Sequence, residues 1–353
     1  MTVNVNKPGI DLRSTITKTD KPTGTAGEAM LRAETAAQQQ ALLGVGRRNW
    51  IINGDMKLSQ RGDYTSATAL SDETYYLDRY EQNFGTVSCT GQQISTNQPE
   101  ELGGTKSWKL VATSTGTGFM GTRQIIEDYT AFNGRPFTVS CYIKTNHPSV
   151  RFYHYDGSIA KAGKKAAIND GGWHRLEETF TFNASAGTQY SVEVIALSSS
   201  GASVAIRSGD YLEMTGLQVE FGKVATPYEQ RSAAEELALA QRYFTVIVPA
   251  NNAECWITTA VSYTDTAVYG GIRFPVTMRT VPSIVQASGS SLYQYYRGGT
   301  NDFFDALSVF GAPQSTTNSV FVYNTSQVSG TAGEAGNIQA ASASTALAFN
   351  AEL

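Results

Sequence analysis

Two clusters of side chains have the make-up of a ligand-binding surface. In the first, Arg151, Tyr153 and Tyr155 fall on one parity of a strand pattern, with Val150, Phe152 and His154 on the other. A tyrosine ring offers an apolar face and a polar tip, which suits stacking on a sugar ring. The competing account is packing across strands or between subunits. In the second cluster, Tyr293, Tyr295, Tyr296 and Arg297 precede Gly298-Gly299 and Asp302, an aromatic and polar group beside a loop. Both clusters are candidate glycan contacts.

Other groupings point away from catalysis. Gly116-Thr117-Gly118-Phe119-Met120-Gly121 has the GxGxxG spacing. A dinucleotide site also needs a helix opening there inside a parallel βαβ unit. Thr122 to Tyr129 leaves room for two turns at most before Asn133-Gly134-Arg135-Pro136, so a glycine-rich hairpin loop is the better account. His147, His154 and His174 lack metal-ligand spacing, and no GxSxG elbow stands behind any of them. Glu177-Glu178 and Glu235-Glu236 are adjacent pairs, which read as solvated strand and helix faces. They do not form the carboxylate pair across a cleft that glycoside hydrolysis requires. Cys89, Cys141 and Cys255 are odd in number and far apart, so they read as small, mostly buried, reduced residues. The expectation is a protein that is not an enzyme and has neither metal nor cofactor.

The elements that would carry such surfaces are β-rich. With 16% charged residues against 41% hydrophobic, 33 Gly and 18 Tyr, the composition fits many short strands and turns. A length of 353 residues suggests two to three domains. A net charge of −4 gives no positive field for nucleic acid or anionic membrane. No apolar run is long enough to span a bilayer, and the N-terminus lacks the apolar core of a secretion signal.

Residues 1–24 are polar and broken by Pro8, Gly9, Pro22 and Gly24. They read either as a disordered tail or as an arm that orders on a partner, with Val3, Val5, Ile10, Leu12 and Ile16 alternating loosely enough to join a foreign sheet edge. Residues 25–43 have helix-forming composition, a Thr25/Glu28 capping box and a narrow seam of Ala26, Met30, Ala33 and Ala37. Gly44 and Gly46 end this helix, which gives a short stalk over 25–46.

Trp50-Ile51-Ile52 reads as an opening strand with a turn at Asn53-Gly54-Asp55. Strand patterns follow from Trp108, over Phe137–Thr145, Trp173–Phe182 and Tyr190–Leu197. Over Tyr211–Phe221 the parity switches: Leu212 and Met214 share one register, Leu217, Val219 and Phe221 the other, with Gly216 between them. A β-bulge at Gly216 would return all five to one face. Thr226-Pro227 fixes an extended exit. Residues 232–244 follow as a helix, with a Ser232/Glu235 capping box and an apolar side of Leu237, Leu239, Ala240 and Phe244. Beyond it, Ile272, Phe274, Val276 and Met278 alternate as a strand that Pro275 places at an edge or ends. Further strands are expected at Leu292–Arg297, Ser319–Asn324 and Leu347–Ala351, with a loop of little order over 326–346. The fold class is mainly β: an antiparallel jelly-roll sandwich plus a smaller C-terminal β domain, with two short helices.

The bracket around the sandwich also carries a resemblance. NWIINGDMKLSQRG, from Asn49, resembles the opening strand of jelly-roll modules in tailed-phage structural proteins, which are similar to carbohydrate-binding modules of the galactose-binding-like type. Gln218, Glu220, Gly222, Ala225, Thr226 and Pro227, then Glu235, Glu236, Leu237, Gln241, Arg242 and Tyr243, resemble the closing strand and helix of the same proteins. Phe274–Pro282, Thr35–Gly46 and the terminal Ala351-Glu352-Leu353 are similar to further parts of them.

The resemblance implies a homotrimeric virion protein, a short tail fibre or spike, assembled in the host cytoplasm. Residues 1–24 would attach it to tail or collar proteins, 25–46 form the stalk and 47–231 the jelly roll. Residues 232–246 would link to a C-terminal β domain over 247–353, and adhesion would be to host surface glycan. The alternatives are a collar, tail or head component that binds no receptor and, further off, a polysaccharide depolymerase.

Overall fold

The computed structural model describes residues 48–155, 160–163, 166, 168–181, 190–197 and 205–353. The arm, the first helix and the stalk, with Val3, Val5, Ile10, Leu12, Ile16, Ala26, Met30, Ala33 and Ala37, lie outside the described residues.

In chain order the first strands are β1 (Thr68–Ala69), β2 (Glu81–Phe84), β3 (Cys89–Ile94), β4 (Ser107–Ala112), β5 (Phe119–Ile126), β6 (Pro136–Thr145), β7 (Val150–Tyr155), β8 (Ala160–Ala162), β9 (His174–Thr181), β10 (Tyr190–Leu197) and β11 (Tyr211–Phe221). All pairings are antiparallel, in two sheets ordered β1-β3-β4-β11-β6-β9 and β2-β5-β10-β7-β8. From β4 onward the chain passes repeatedly between the two sheets, the jelly-roll winding. Period-two alternation supplies the core between them. Phe137, Val139, Cys141 and Ile143 of β6 face Phe152, Val192 and Val194 of the other sheet, all at most 1% exposed. Each such large side chain contributes about 1.5–3 kcal/mol by leaving water.

The parity switch in β11 is a bulge. Gly216 has φ +63°, and the register against β6 shifts between Thr215 and Gln218. Leu212, Met214, Leu217 and Val219 are all buried in one core, and Phe221 packs on its edge. Trp50-Ile51-Ile52 is not a strand, because its backbone is used to repair that bulge. Trp50 N–H donates to Val219 O (2.9 Å), Leu217 N–H donates to Gly54 O (3.0 Å), and the Asn49 amide bonds both Leu217 O and Val219 N.

The chain then enters α1 (Ala233–Gln241), capped by Ser232 Oγ, which accepts from Glu235 N. Its buried residues are Glu236 and Ala240, not the leucines. Glu236 is therefore no solvated face: it accepts from Asn53 N (2.7 Å) and pairs with Arg231 (3.0 Å).

The remaining strands are β12 (Phe244–Val248), β13 (Trp256–Thr264), β14 (Ala267–Arg273), β15 (Ser283–Gln286), β16 (Tyr293–Arg297), β17 (Thr300–Phe304), β18 (Ser308–Val309), β19 (Ser319–Asn324), β20 (Ala335–Ala340) and β21 (Leu347–Asn350). They form sheets β12-β21-β15 and β17-β16-β20-β13-β14-β19-β18 around a second core that includes Val268, Tyr293, Tyr295, Ile338 and Phe349. β14 stops before Phe274-Pro275, where Pro lacks the N–H to continue a ladder. The alternation through Val276 and Met278 thus lies outside any strand. The expected loop over 326–346 contains β20, paired on both sides. Gly336 makes this possible, since a Cβ there would lie 2.4 Å from Tyr296 O.

The two cores meet at a seam of ion pairs. Glu352 pairs with Arg61 (3.0 Å) and with the buried Arg79. Arg79 lies over the Tyr243 ring (3.6 Å) and Arg61 over Phe244 (3.7 Å). Glu127 holds Arg242 (2.6 Å) and accepts from Tyr243 Oη (2.8 Å), and the Arg242 bond holds its carboxyl below the usual range.

Candidate functional site

Tyr153 of β7 stands opposite Glu193 of β10, Glu193 opposite Arg123 of β5, and Arg123 opposite Glu81 of β2. The outward face of the five-stranded sheet therefore carries a transverse row, Tyr153–Glu193–Arg123–Glu81. A neighbouring row is Arg151–Ile195–Gly121–Asn83, and the next is Tyr155–Ser191–Ile125. The inward residues Phe152, His154, Val192 and Val194 anchor the same strands in the core. His154 Nδ1 is 2.9 Å from Tyr190 Oη beneath the sheet, so this histidine is a core residue.

Polar contacts fix the middle of the face. Arg123 Nε donates to Glu81 Oε2 (2.7 Å), and its Nη1 lies 3.8 Å from Glu193 Oε1. Asn83 Nδ2 donates to Glu193 Oε2 (2.9 Å). Glu193 is 3% exposed, and burial pushes its carboxyl up to about 7 against the opposing pull of Arg123 and Asn83. At Gly121 a side chain is absent, and Ile195 Cγ2 fills the space where a Cβ would stand. Arg151, Tyr153 and Tyr155 are half-buried. Arg151 Nε and Ser191 Oγ are buried with no hydrogen-bond partner among the described residues. The result is a ring-bearing surface with fixed donors and acceptors beside it. Such a surface can stack a pyranose ring and orient its hydroxyls.

The second sequence cluster is divided by strand parity. Tyr293 and Tyr295 point into the second core and are fully buried, which removes them from any surface contact. Arg297 is 7% exposed and taken up by Asp302, Glu334 (2.9 Å) and Ser329 O, and Asp302 also bonds Ser329. Tyr296, 40% exposed, is the member of this cluster that reaches solvent. It shares the outer face of the seven-stranded sheet with Trp256 and Phe303.

The sequence clusters did not include Glu81, Asn83, Arg123, Ser191 and Glu193. Their period-two parity was readable, but their alignment depends on register between strands far apart in sequence.

The GxGxxG stretch runs through a bridge at Gly116 into β5, with no helix. His147 is buried and bonds Ser149, while His174 lies at the surface beside Asp170 (2.8 Å). Among the described residues no group of three or more His, Cys, Asp or Glu could hold a metal. A separate concavity of about 620 Å³ is lined by residues of β6, β7 and β9 and by Lys223–Ala225, and contains none of the candidate glycan contacts.

No family model matches the chain, and no curated protein does. Solved structures similar to it include the CBM22-1 xylan-binding domain of Xyn10C from Paenibacillus barcinonensis: 11% identity, 46% of this chain, 99% of that one, TM-score 0.30. TmCBM61 in complex with β-1,4-galactotriose is similar at 11% identity over 50% of this chain and all of that one, TM-score 0.30. The enzymatically active domain of bacteriophage CBA120 tailspike protein 4 is similar at 13% identity over 49% of this chain, TM-score 0.33, and the match spans 21% of that chain.

Proposed function

We propose that the chain is a tailed-phage virion protein, a short tail fibre or spike, that adheres to host surface glycan through the outward face of its five-stranded sheet. The observation that carries the adhesive part is the register that sets Tyr153 and Arg151 beside the Glu193–Arg123–Glu81 row and Asn83. The virion part rests on the sequence resemblance at 35–61, 211–243, 274–282 and the terminus. In this reading residues 1–24 attach the protein to the particle and three copies associate through the stalk. Each glycan contact is weak, and several copies multiply it by about 10²–10⁴ in avidity. The protein performs no catalysis and needs no metal or cofactor.

The test uses the full chain, offered to immobilised bacterial surface polysaccharides and to whole cells of candidate hosts. Retention is expected, with at least a tenfold loss in a Tyr153→Ala, Tyr155→Ala double variant whose thermal midpoint is unchanged. Retention by none, or equal retention of the double variant, overturns the adhesive reading. Release of oligosaccharide would point to a depolymerase instead.

A second reading, a collar or tail joint that binds no receptor, is favoured by another surface. The outer face of the seven-stranded sheet exposes Trp256 (68%), Tyr263 (64%), Phe303 (49%) and Phe321 (45%). Tyr263 stacks on Tyr269 at 4.6 Å, which extends the aromatic area. Aromatic area of this kind suits contact with another protein subunit. Light scattering of the intact protein decides whether copies associate, and a monomer removes the trimer.

A further inference from the structure

We propose that the saccharide taken by the five-stranded face is acidic, its carboxylate held by the Arg151 guanidinium while its ring lies against Tyr153. The inference rests on the glycan reading above and narrows it to a chemical class.

Arg123 is engaged by two carboxylates, Glu81 at 2.7 Å and Glu193 at 3.8 Å. Glu193 is further held by the Asn83 amide. Arg151 lies on the same face in the adjacent row, yet forms no ion pair or hydrogen bond among the described residues, and its Nε is buried without a partner. A guanidinium held half-buried without an anion keeps the cost of partial desolvation and gains none of the pairing that usually offsets it. Its planar fork matches a carboxylate in bidentate geometry, which a neutral hydroxyl cannot reproduce. The Ser191 hydroxyl, 1% exposed and also unpartnered, lies two residues from Glu193 on the same face.

The groups that face Glu193 are Arg123 and Glu81 from β5 and β2, Asn83, and Tyr153 from β7, while Arg151 stands opposite Ile195 in the adjacent row. Burial raises Glu193, so near neutrality part of its negative charge is already titrated. Arg151 is the cation of these rows that forms no ion pair among the described residues.

The experiment offers the full chain a panel of hexuronate polysaccharides, each paired with its carboxyl-reduced neutral twin, with affinity electrophoresis or calorimetry as the readout. The acidic member of a retained pair should bind at least tenfold more tightly than its twin. Arg151→Gln should abolish that preference and Arg151→Lys should restore part of it. Tyr153→Ala should weaken both twins. Equal binding of the twins, or a preference that survives Arg151→Gln, overturns the acidic assignment and leaves the glycan reading standing. Failure of every acidic and neutral member to bind overturns the glycan reading itself, and this inference with it.

Discussion

The seam between the two cores and the outward face of the five-stranded sheet are both rich in arginine, glutamate and tyrosine, but they treat those side chains differently. At the seam each of these arginines is ion-paired: Arg231 with Glu236, Arg242 with Glu127, and Arg61 and Arg79 both with Glu352. Beside it, Glu220 accepts from the Thr226 N–H and hydroxyl, while Gln218 bonds Glu220 and Glu229 N. On the sheet face Arg123 is shared between two carboxylates, while Arg151 forms no ion pair among the described residues; a buried Nε without a partner is common to both regions, at Arg61, Arg79 and Arg231 as well as at Arg151. Ion pairs of this kind hold a scaffold together, and removing one partner strands the other in low dielectric. A guanidinium without an ion pair beside half-buried rings contributes little to folding and is available to an anionic ligand.

The largest effect is expected at the seam. Arg231→Ala leaves Glu236, 4% exposed, without its cation and should cost about 3–5 kcal/mol in chemical denaturation. A loss below about 1 kcal/mol would mean the seam is not structural. Next is the bulge that the opening segment repairs. Gly216→Ala forces a side chain onto φ +63° and places Cβ 2.6 Å from Leu102 Cδ1, so about 1–3 kcal/mol of destabilisation is expected in the same measurement.

Smaller again is the effect of Glu193. Its folded value, near 7, lies above the ordinary value of 4.5. The folded state therefore holds the proton more tightly, and this group's contribution to stability is lost as pH rises from about 4.5 through about 7. Glu193→Gln keeps an acceptor for Asn83 and removes the buried charge. The variant should gain about 1–2 kcal/mol over the parent at pH 8 and show a flatter pH profile. An unchanged profile would remove Glu193 as the source. Smallest in stability, within about 0.5 kcal/mol, are Arg151→Gln and Tyr153→Ala, although both should lower glycan retention tenfold or more.

What could be read from residue order follows from where each signal is local. The bulge was legible because a parity switch and a glycine coincide at Gly216. The Arg151, Tyr153 and Tyr155 face was legible because period two is a property of six consecutive residues. Their partners Glu193, Arg123 and Glu81 were not, since register between β7, β10, β5 and β2 pairs residues 40 to 70 positions apart in sequence. Trp50-Ile51-Ile52 misled because an apolar run reports burial, whereas strand formation depends on where the backbone bonds go, here to the bulge of β11. In the second cluster composition outweighed parity: Tyr293, Tyr295 and Arg297 alternate with Gln294 and Tyr296, and the inward set is the larger one.

If one sheet face meets the glycan as proposed and the seam only supports it, hydrogen exchange of the full chain with and without a retained polysaccharide should slow over 119–126 and 150–155 and stay unchanged over 256–264 and 293–304. Slowing confined to the seven-stranded sheet, or slowing in neither sheet, would overturn the proposed function.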